Sequence, residues 1–254
     1  MNRAVSDTLG FVFAFALVTA SVGAVYVSGI DGLQNAQRDE QLRNMERAFD
    51  VVDDNFRDIR AGGAPSRASE IKLPGGTLEF LDSTRITIQT NGTGCVGGCS
   101  RLNNTTTMNP RPVAYTDGDT RIVAVAGAVF RTGPGGSVML SDPGWVRGPE
   151  RALIPGFVTY PSGDRTSLGG DATVLLVAHA QSREATERIR SGSGRGLRVN
   201  ATVRTVRADA WRRYFESEGY DITRYDETEE VVSAEFETER VYISETVVGL
   251  EIER

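Results

Sequence analysis

Cys95-Val-Gly-Gly-Cys99 contains the only two cysteines of this 254-residue chain. Two thiols three residues apart, with two glycines between them, can close a tight disulfide loop in an oxidising compartment. A zinc site normally asks for four ligands, and the sole histidine, His179, lies far away in sequence. Thiol redox catalysis usually spaces its cysteines by two residues in a strand-to-helix turn. Neither chemistry is expected, so no metal and no cofactor is assigned. Around the cysteines stand N-glycosylation sequons, Asn91-Gly-Thr, Asn103-Asn-Thr and Asn104-Thr-Thr, with Asn200-Ala-Thr further on. His179 shares the strand phase of Leu175 and Val177 and reads as a half-buried, hydrogen-bonded strand histidine. No Gly-x-Ser-x-Gly nucleophile elbow occurs. Gly192-Ser-Gly-Arg-Gly196 lacks the full dinucleotide spacing and the Gly-Lys-Ser/Thr ending of a phosphate loop, and it follows a charged segment, Glu184–Arg190, rather than a predicted strand. A non-enzymatic protein without an identified small-molecule substrate is expected.

The charge balance narrows the partners. Acidic residues number 34 against 28 basic ones, and Lys72 is the only lysine. From Ala208 to Arg254 there are 14 acidic and 5 basic residues. Such a balance argues against nucleic acid, because neutralising phosphates needs a basic patch. Asp226-Glu-Thr-Glu-Glu230 reads as a solvated face rather than a cation site. A lysine-poor, acid-rich surface resembles that of haloarchaeal proteins. A GC-rich genome explains the lysine scarcity but not the acidity.

The elements that carry these residues begin with a charge-free run of 23 residues, Thr8–Ile30. As a helix it spans about 35 Å, enough for a hydrocarbon core of about 30 Å. Gly10, Ala14, Ala16, Ala20, Ser21, Gly23 and Ala24 would let a second backbone approach closely. Arg3 and the amino terminus precede the run, while Asp31, Asp39 and Glu40 follow it with Arg38. The positive-inside rule then places the N-terminus in the cytoplasm and the remainder outside the cell. Three readings remain open. One is a secretory signal cut after Val22-Gly23-Ala24, and another is a permanent signal-anchor.

The third rests on resemblance. Arg3-Ala4-Val5-Ser6 resembles the prepilin-peptidase site of archaeal type IV pilin-like proteins. That resemblance implies processing at Arg3, Ala4 and Val5, with cleavage between Ala4 and Val5 and Asp7 as third mature residue. The fifth mature position is Leu9 rather than the acidic residue usual in bacterial pilins. The segments Asp7-Thr-Leu-Gly-Phe11 and Ala210-Trp-Arg-Arg-Tyr214 are similar to uncharacterised haloarchaeal membrane proteins with pilin-like N-termini. The resemblance implies a helix stored in the membrane, released by leader cleavage and packed against copies of itself or other pilin-like subunits. The alternative is a permanently tethered ectodomain that binds a glycan, a surface-layer protein or another membrane protein.

Beyond the run, Leu42, Met45, Phe49, Val52, Phe56 and Ile59 recur at spacings of 3, 4, 3, 4 and 3, an apolar stripe at helical period. Arg43, Glu46, Arg47, Asp50, Asp53, Asp54 and Arg57 are expected to face water. The stripe reads as helix packing on a globular head, with a coiled-coil seam as the sharper alternative. Ala61-Gly-Gly-Ala-Pro65 ends the helix. The expected organisation is a leader at 1–4, a transmembrane helix at 5–30, an amphipathic helix at 31–60 and an extracellular β-rich head at 66–254. This is an α+β fold, mostly antiparallel. A hairpin is expected at Glu70–Leu81 around Pro74-Gly-Gly, and single strands over Arg121–Arg131 and Ala172–Ala180. A short helix capped by Asp209 should present Trp211, Tyr214 and Phe215 on one side. The closing strand changes apolar phase between Ile243 and Val248, which predicts a bulge.

Overall fold

A computed structural model describes residues 2–92, 103–190 and 196–254. The chain divides into two compact units, Met1–Asn44 and Met45–Arg254. The first is helical throughout its described residues and belongs to α1 (Asn2–Ala61). Among the described residues, the second contains the end of that helix, all the strands and a short helix. Gly62, in the left-handed region at φ 83°, stops α1. The Gly63 N–H then donates back to the Asp58 carbonyl at 3.0 Å, satisfying an acceptor of the last turn.

In chain order the strands are β1 (Ser66–Phe80), β2 (Arg85–Gly92), β3 (Asn104–Met108), β4 (Val113–Asp117), β5 (Thr120–Val125), β6 (Ala128–Gly133) and β7 (Gly136–Ser141). They continue as β8 (Ala152–Pro161), β9 (Ser167–Arg190) and β10 (Leu197–Arg204). After α2 (Ala208–Ser217) come β11 (Asp221–Asp226), β12 (Val231–Thr238) and β13 (Arg240–Glu253). One sheet has eight strands in the order β7-β6-β5-β4-β1-β9-β13-β8, and the other five in the order β11-β12-β10-β2-β3. Pairing is antiparallel except between β8 and β13. The fold is therefore α+β, as the switch from helical to alternating periodicity implied.

The main core draws on inward residues of both sheets and on α2. Trp211 is its centre, with the rings of Trp145, Phe215, Tyr214 and Phe130 at 5.6, 5.7, 5.8 and 6.0 Å. Offset aromatic packing of this kind adds to the gain from burial alone. Asp209 does not cap α2: Arg207 holds the N-cap position without a side-chain cap. The Asp209 carboxylate instead accepts from the Ser137 N–H and Arg213, both at 3.2 Å, tying the first turn to β7.

Three local expectations are corrected. Pro74-Gly75-Gly76 does not reverse the chain; β1 continues through it along a single antiparallel partner, β9, with a register shift between Pro74 and Thr77. Gly75 takes φ 96° and absorbs the extra residue as a bulge. Gly76 lies so close to β4 that an added Cβ would come within 2.5 Å of the Tyr115 ring. Arg121–Arg131 is two strands: Ala126 and Gly127, at φ 56° and 77°, make a two-residue turn between β5 and β6. The charged segment Glu184–Arg190 is the end of β9, held in the sheet by pairing with β13. The closing strand does bulge, with register shifts at Ile243/Ser244 and Val247/Val248.

Candidate functional site

Within the first unit, Leu9–Tyr26 is the one segment of 18 residues among those described that is long and apolar enough to cross a membrane, and none of it is buried. Phe13 is 71% exposed and Val25 74%. A contiguous apolar surface of this kind marks contact with lipid or protein rather than with water. Its one hydrogen-bonded hydroxyl is already satisfied locally, since Ser21 Oγ donates to the Leu17 carbonyl at 2.6 Å. Internal pairing of this sort is what a hydrocarbon environment demands of a polar side chain. At Gly10, Gly23, Gly29 and Gly32 an added Cβ would meet nothing within 4 Å, so the helix surface is open there. Arg3, Ala4 and Val5 lie in the first turns of the same helix.

The second unit uses its part of α1 differently. Met45, Phe49, Val52, Phe56 and Ile59 are all buried, and the Phe56 ring lies 5.0 Å from that of Phe157 on β8. Leu42, in the first unit, is also buried. From Met45 onward the stripe serves the core of the β domain and is not free to form a seam with a second copy. Glu46 accepts from Arg131 of β6 at 3.1 Å beside it.

Asp53 departs from the expectation that it faces water: it is only 3% exposed. Position 53 is one helical turn from both Phe49 and Phe56, so its carboxylate borders the buried face. Ser141 Oγ donates to Asp53 Oδ2 at 2.6 Å, and Arg57 Nη2 lies 2.9 Å from the same oxygen. Arg57 also donates to Ser141 Oγ at 2.6 Å. Burial raises the Asp53 pKa above the ordinary aspartate value, against the Ser141 hydrogen bond and the charges of Arg57 and Arg60. Arg60 donates to the Pro143 carbonyl at 3.1 Å, and burial lowers its pKa. Gly127 and Gly144 make room for this guanidinium, because a Cβ at either would come within 3.0 Å of it. The spacing of Asp53 from the stripe was the available sign of this cluster; its partners on β7 and the following loop are more than 80 residues away in sequence.

The remaining sequence-derived positions are scattered. Asn91 is exposed at the end of β2, and the exposed Asn103 accepts from the Gly92 N–H at 3.4 Å. Asn104 Oδ1 accepts from the Thr105 N–H at 2.7 Å. Asn200, half-buried on β10, donates to Thr223 at 3.4 Å and accepts from Thr202 at 3.2 Å. Cys95 and Cys99 lie outside the described residues, as does most of the Gly192–Gly196 segment. His179 is half-buried on β9 opposite Ser66 and Gly249. Among the described residues no three acidic, histidine or cysteine side chains converge as a metal site. In the acidic run, Glu229 pairs with Arg224, and the Asp226 carboxylate accepts from the Glu229 N–H at 3.0 Å.

The profile of DUF7289, described as a family of unknown function, matches residues 3–251. An uncharacterized protein of Archaeoglobus fulgidus is 32% identical over 78 residues, which covers 31% of this chain and 26% of that protein. The match thus spans about a quarter of the relative's length. No solved structure matches.

Proposed function

We propose, for a chain that belongs to DUF7289, a family of unknown function, a non-enzymatic role at the cell surface as a pilin-like subunit. The observation that carries this reading is the uncovered apolar segment Leu9–Tyr26. Before assembly its surface would contact lipid; in a filament, copies of the same helix would cover it, so no refolding is needed. The open surface at Gly10, Gly23 and Gly29 supports close helix–helix approach. Arg3-Ala4-Val5-Ser6, directly ahead of the segment, supports release by a prepilin-type peptidase. The N-terminus faces the cytoplasm and the β domain faces outward, where Cys95 and Cys99 would form a disulfide and Asn91, Asn103, Asn104 or Asn200 would carry sugar. The acid-rich, lysine-poor composition supports a haloarchaeal setting.

A second reading keeps the helix in the bilayer and makes the β domain a tethered ectodomain. The burial of Met45–Ile59 within the second unit favours it, because that stripe then offers nothing to assembly. The N-terminal sequence of the mature protein, taken from membranes and from material sheared off the cell surface, separates the two. A terminus at Val5 in sheared material is expected for the pilin-like subunit. Met1 found only in membranes assigns the tethered form, and a terminus near Val25 in the medium overturns both.

A further inference from the structure

A cavity of about 570 Å³ opens where β10, β2 and β5 present Arg204, Arg85 and Arg121, together with Arg207, Thr84 and Asn109. Arg204 and Arg85 are direct cross-strand partners in the β10–β2 register. Like charges placed opposite one another destabilise a sheet unless something neutralises them. Arg207 is 3% exposed, and its guanidinium lies over the Phe130 ring at 5.8 Å. Its Nε has no hydrogen-bond partner. Burial, then the neighbouring charge of Arg121, pushes the Arg207 pKa down to about 10, with Glu230 acting the other way. A buried guanidinium with an unused donor is costly to leave in that state.

The acids nearby do not pair with the cluster directly. Among the described residues, none of these four arginines forms an ion pair; Arg85 Nε donates to the neutral Asn109 Oδ1 at 3.2 Å. Glu229, at the edge of the cavity, is taken by Arg224. Glu230, in left-handed backbone at φ 53°, acts on Arg207 through its charge but forms no ion pair among the described residues. Thr84 and Thr205 add buried hydroxyls 3.4 Å apart. The volume lies in the range of small-ligand pockets, and guanidinium forks match the oxygens of carboxylate, sulfate and phosphate groups. Asp82, Glu229 and Glu230 also line the cavity, which disfavours a polyanion and leaves acceptors for ligand hydroxyls.

We propose that this cavity binds a small ligand through an oxyanion group, either a free ion or a sugar-sized molecule that carries one. The site is independent of whether the N-terminal helix ends in lipid or in a filament. The test is isothermal titration of the full chain in detergent micelles with glucuronate, glucose 6-sulfate, glucose 6-phosphate, inorganic sulfate, inorganic phosphate and neutral glucose. At least one anion should bind saturably at one site, and glucose should not. Tighter binding of a sugar form than of the matching ion assigns a sugar-borne group, and equal binding assigns the free ion. Arg121→Gln and Arg204→Gln lie at exposed strand positions and should each weaken binding about tenfold or more, the scale of a charge-assisted hydrogen bond. Arg198→Gln, on the same strand but outside the cavity, should leave it unchanged. Absence of saturable binding by every anion, or binding that survives both cavity substitutions in variants of native tryptophan emission, overturns the proposal.

Discussion

The Asp53 cluster separates two physical effects that point in opposite directions. Arg57 sits 2.9 Å from the carboxylate, which suggests a stabilising ion pair. Yet burial outweighs the Ser141 hydrogen bond and both arginines, leaving the Asp53 pKa raised. A carboxyl whose pKa is raised on folding binds more protons in the native state than in the unfolded one. Stability from this group is therefore fully present below its ordinary pKa of 3.8 and declines as pH rises through the higher folded value. Asp53→Asn preserves the shape of the neutral acid and an acceptor for Ser141 and Arg57. At neutral pH it should fall within about 1 kcal/mol of the parent, because the charge removed is the desolvated one while Arg57, its side chain 42% exposed, keeps water and the amide oxygen as partners. Asp53→Ala leaves the Ser141 hydroxyl and Arg57 without their acceptor and should cost about 1–3 kcal/mol. The assay is denaturant unfolding of the full chain in detergent from about pH 4 to about pH 8, followed by tryptophan emission. Trp145 and Trp211 are both buried and will report on it. The difference in stability between parent and Asp53→Asn should favour the parent most at the acid end and shrink toward neutral pH. A loss of about 3–5 kcal/mol for Asp53→Asn at neutral pH, with a difference that grows as pH rises, would refute the reasoning and make the ion pair dominant.

Two further substitutions probe the β domain. Trp211→Ala removes the fully buried centre of the aromatic cluster and should cost about 3–5 kcal/mol in the same unfolding assay; a loss below about 1 kcal/mol would mean the cluster is not the core's anchor. Gly76→Ala drives a Cβ against the Tyr115 ring at 2.5 Å and the Thr116 carbonyl at 2.6 Å and should cost about 1–3 kcal/mol. Because one obstacle is backbone, Tyr115→Leu should not restore the lost stability; full recovery in the double variant would show that the ring alone sets the constraint.

Where a single element carries its own pattern, the sequence was a sufficient guide. The stripe from Met45 to Ile59 and the alternation of Leu197–Val203 each record one buried face, and both faces are buried in the structure. The phase change before Val248 foretold a bulge, because one extra residue in a strand moves every later side chain to the other face. Errors arose where a partner decides the outcome. Pro-Gly-Gly reads locally as a reversal, but β9 pairs with β1 on both sides of it and turns it into a bulge. Ala126-Gly127 is apolar and small, with no polar turn residue to announce it, and only the positive φ angles reveal the hairpin. Glu184–Arg190 looks too charged for a strand until β13 supplies its hydrogen bonds.

The same distinction governs function. Being long and apolar enough to cross a membrane is a property of consecutive residues, so Leu9–Tyr26 was visible without any contact information. The arginine cavity is the opposite case, because its charges come from four places between residues 85 and 207. In the sequence they are ordinary members of a chain with six more acidic than basic residues, a balance that argues against nucleic acid. Net charge, however, acts over the whole surface and is screened within about 10 Å at moderate salt. Arg207 is buried and Arg204 faces Arg85 across one strand spacing, so distant acids do little to relieve the local repulsion, and among the described residues the acids lining the cavity form no ion pair with these arginines. The expectation drawn from composition concerns an extended polyanion such as nucleic acid, whose binding needs a broad basic face. It does not extend to a single oxyanion small enough to enter the cavity.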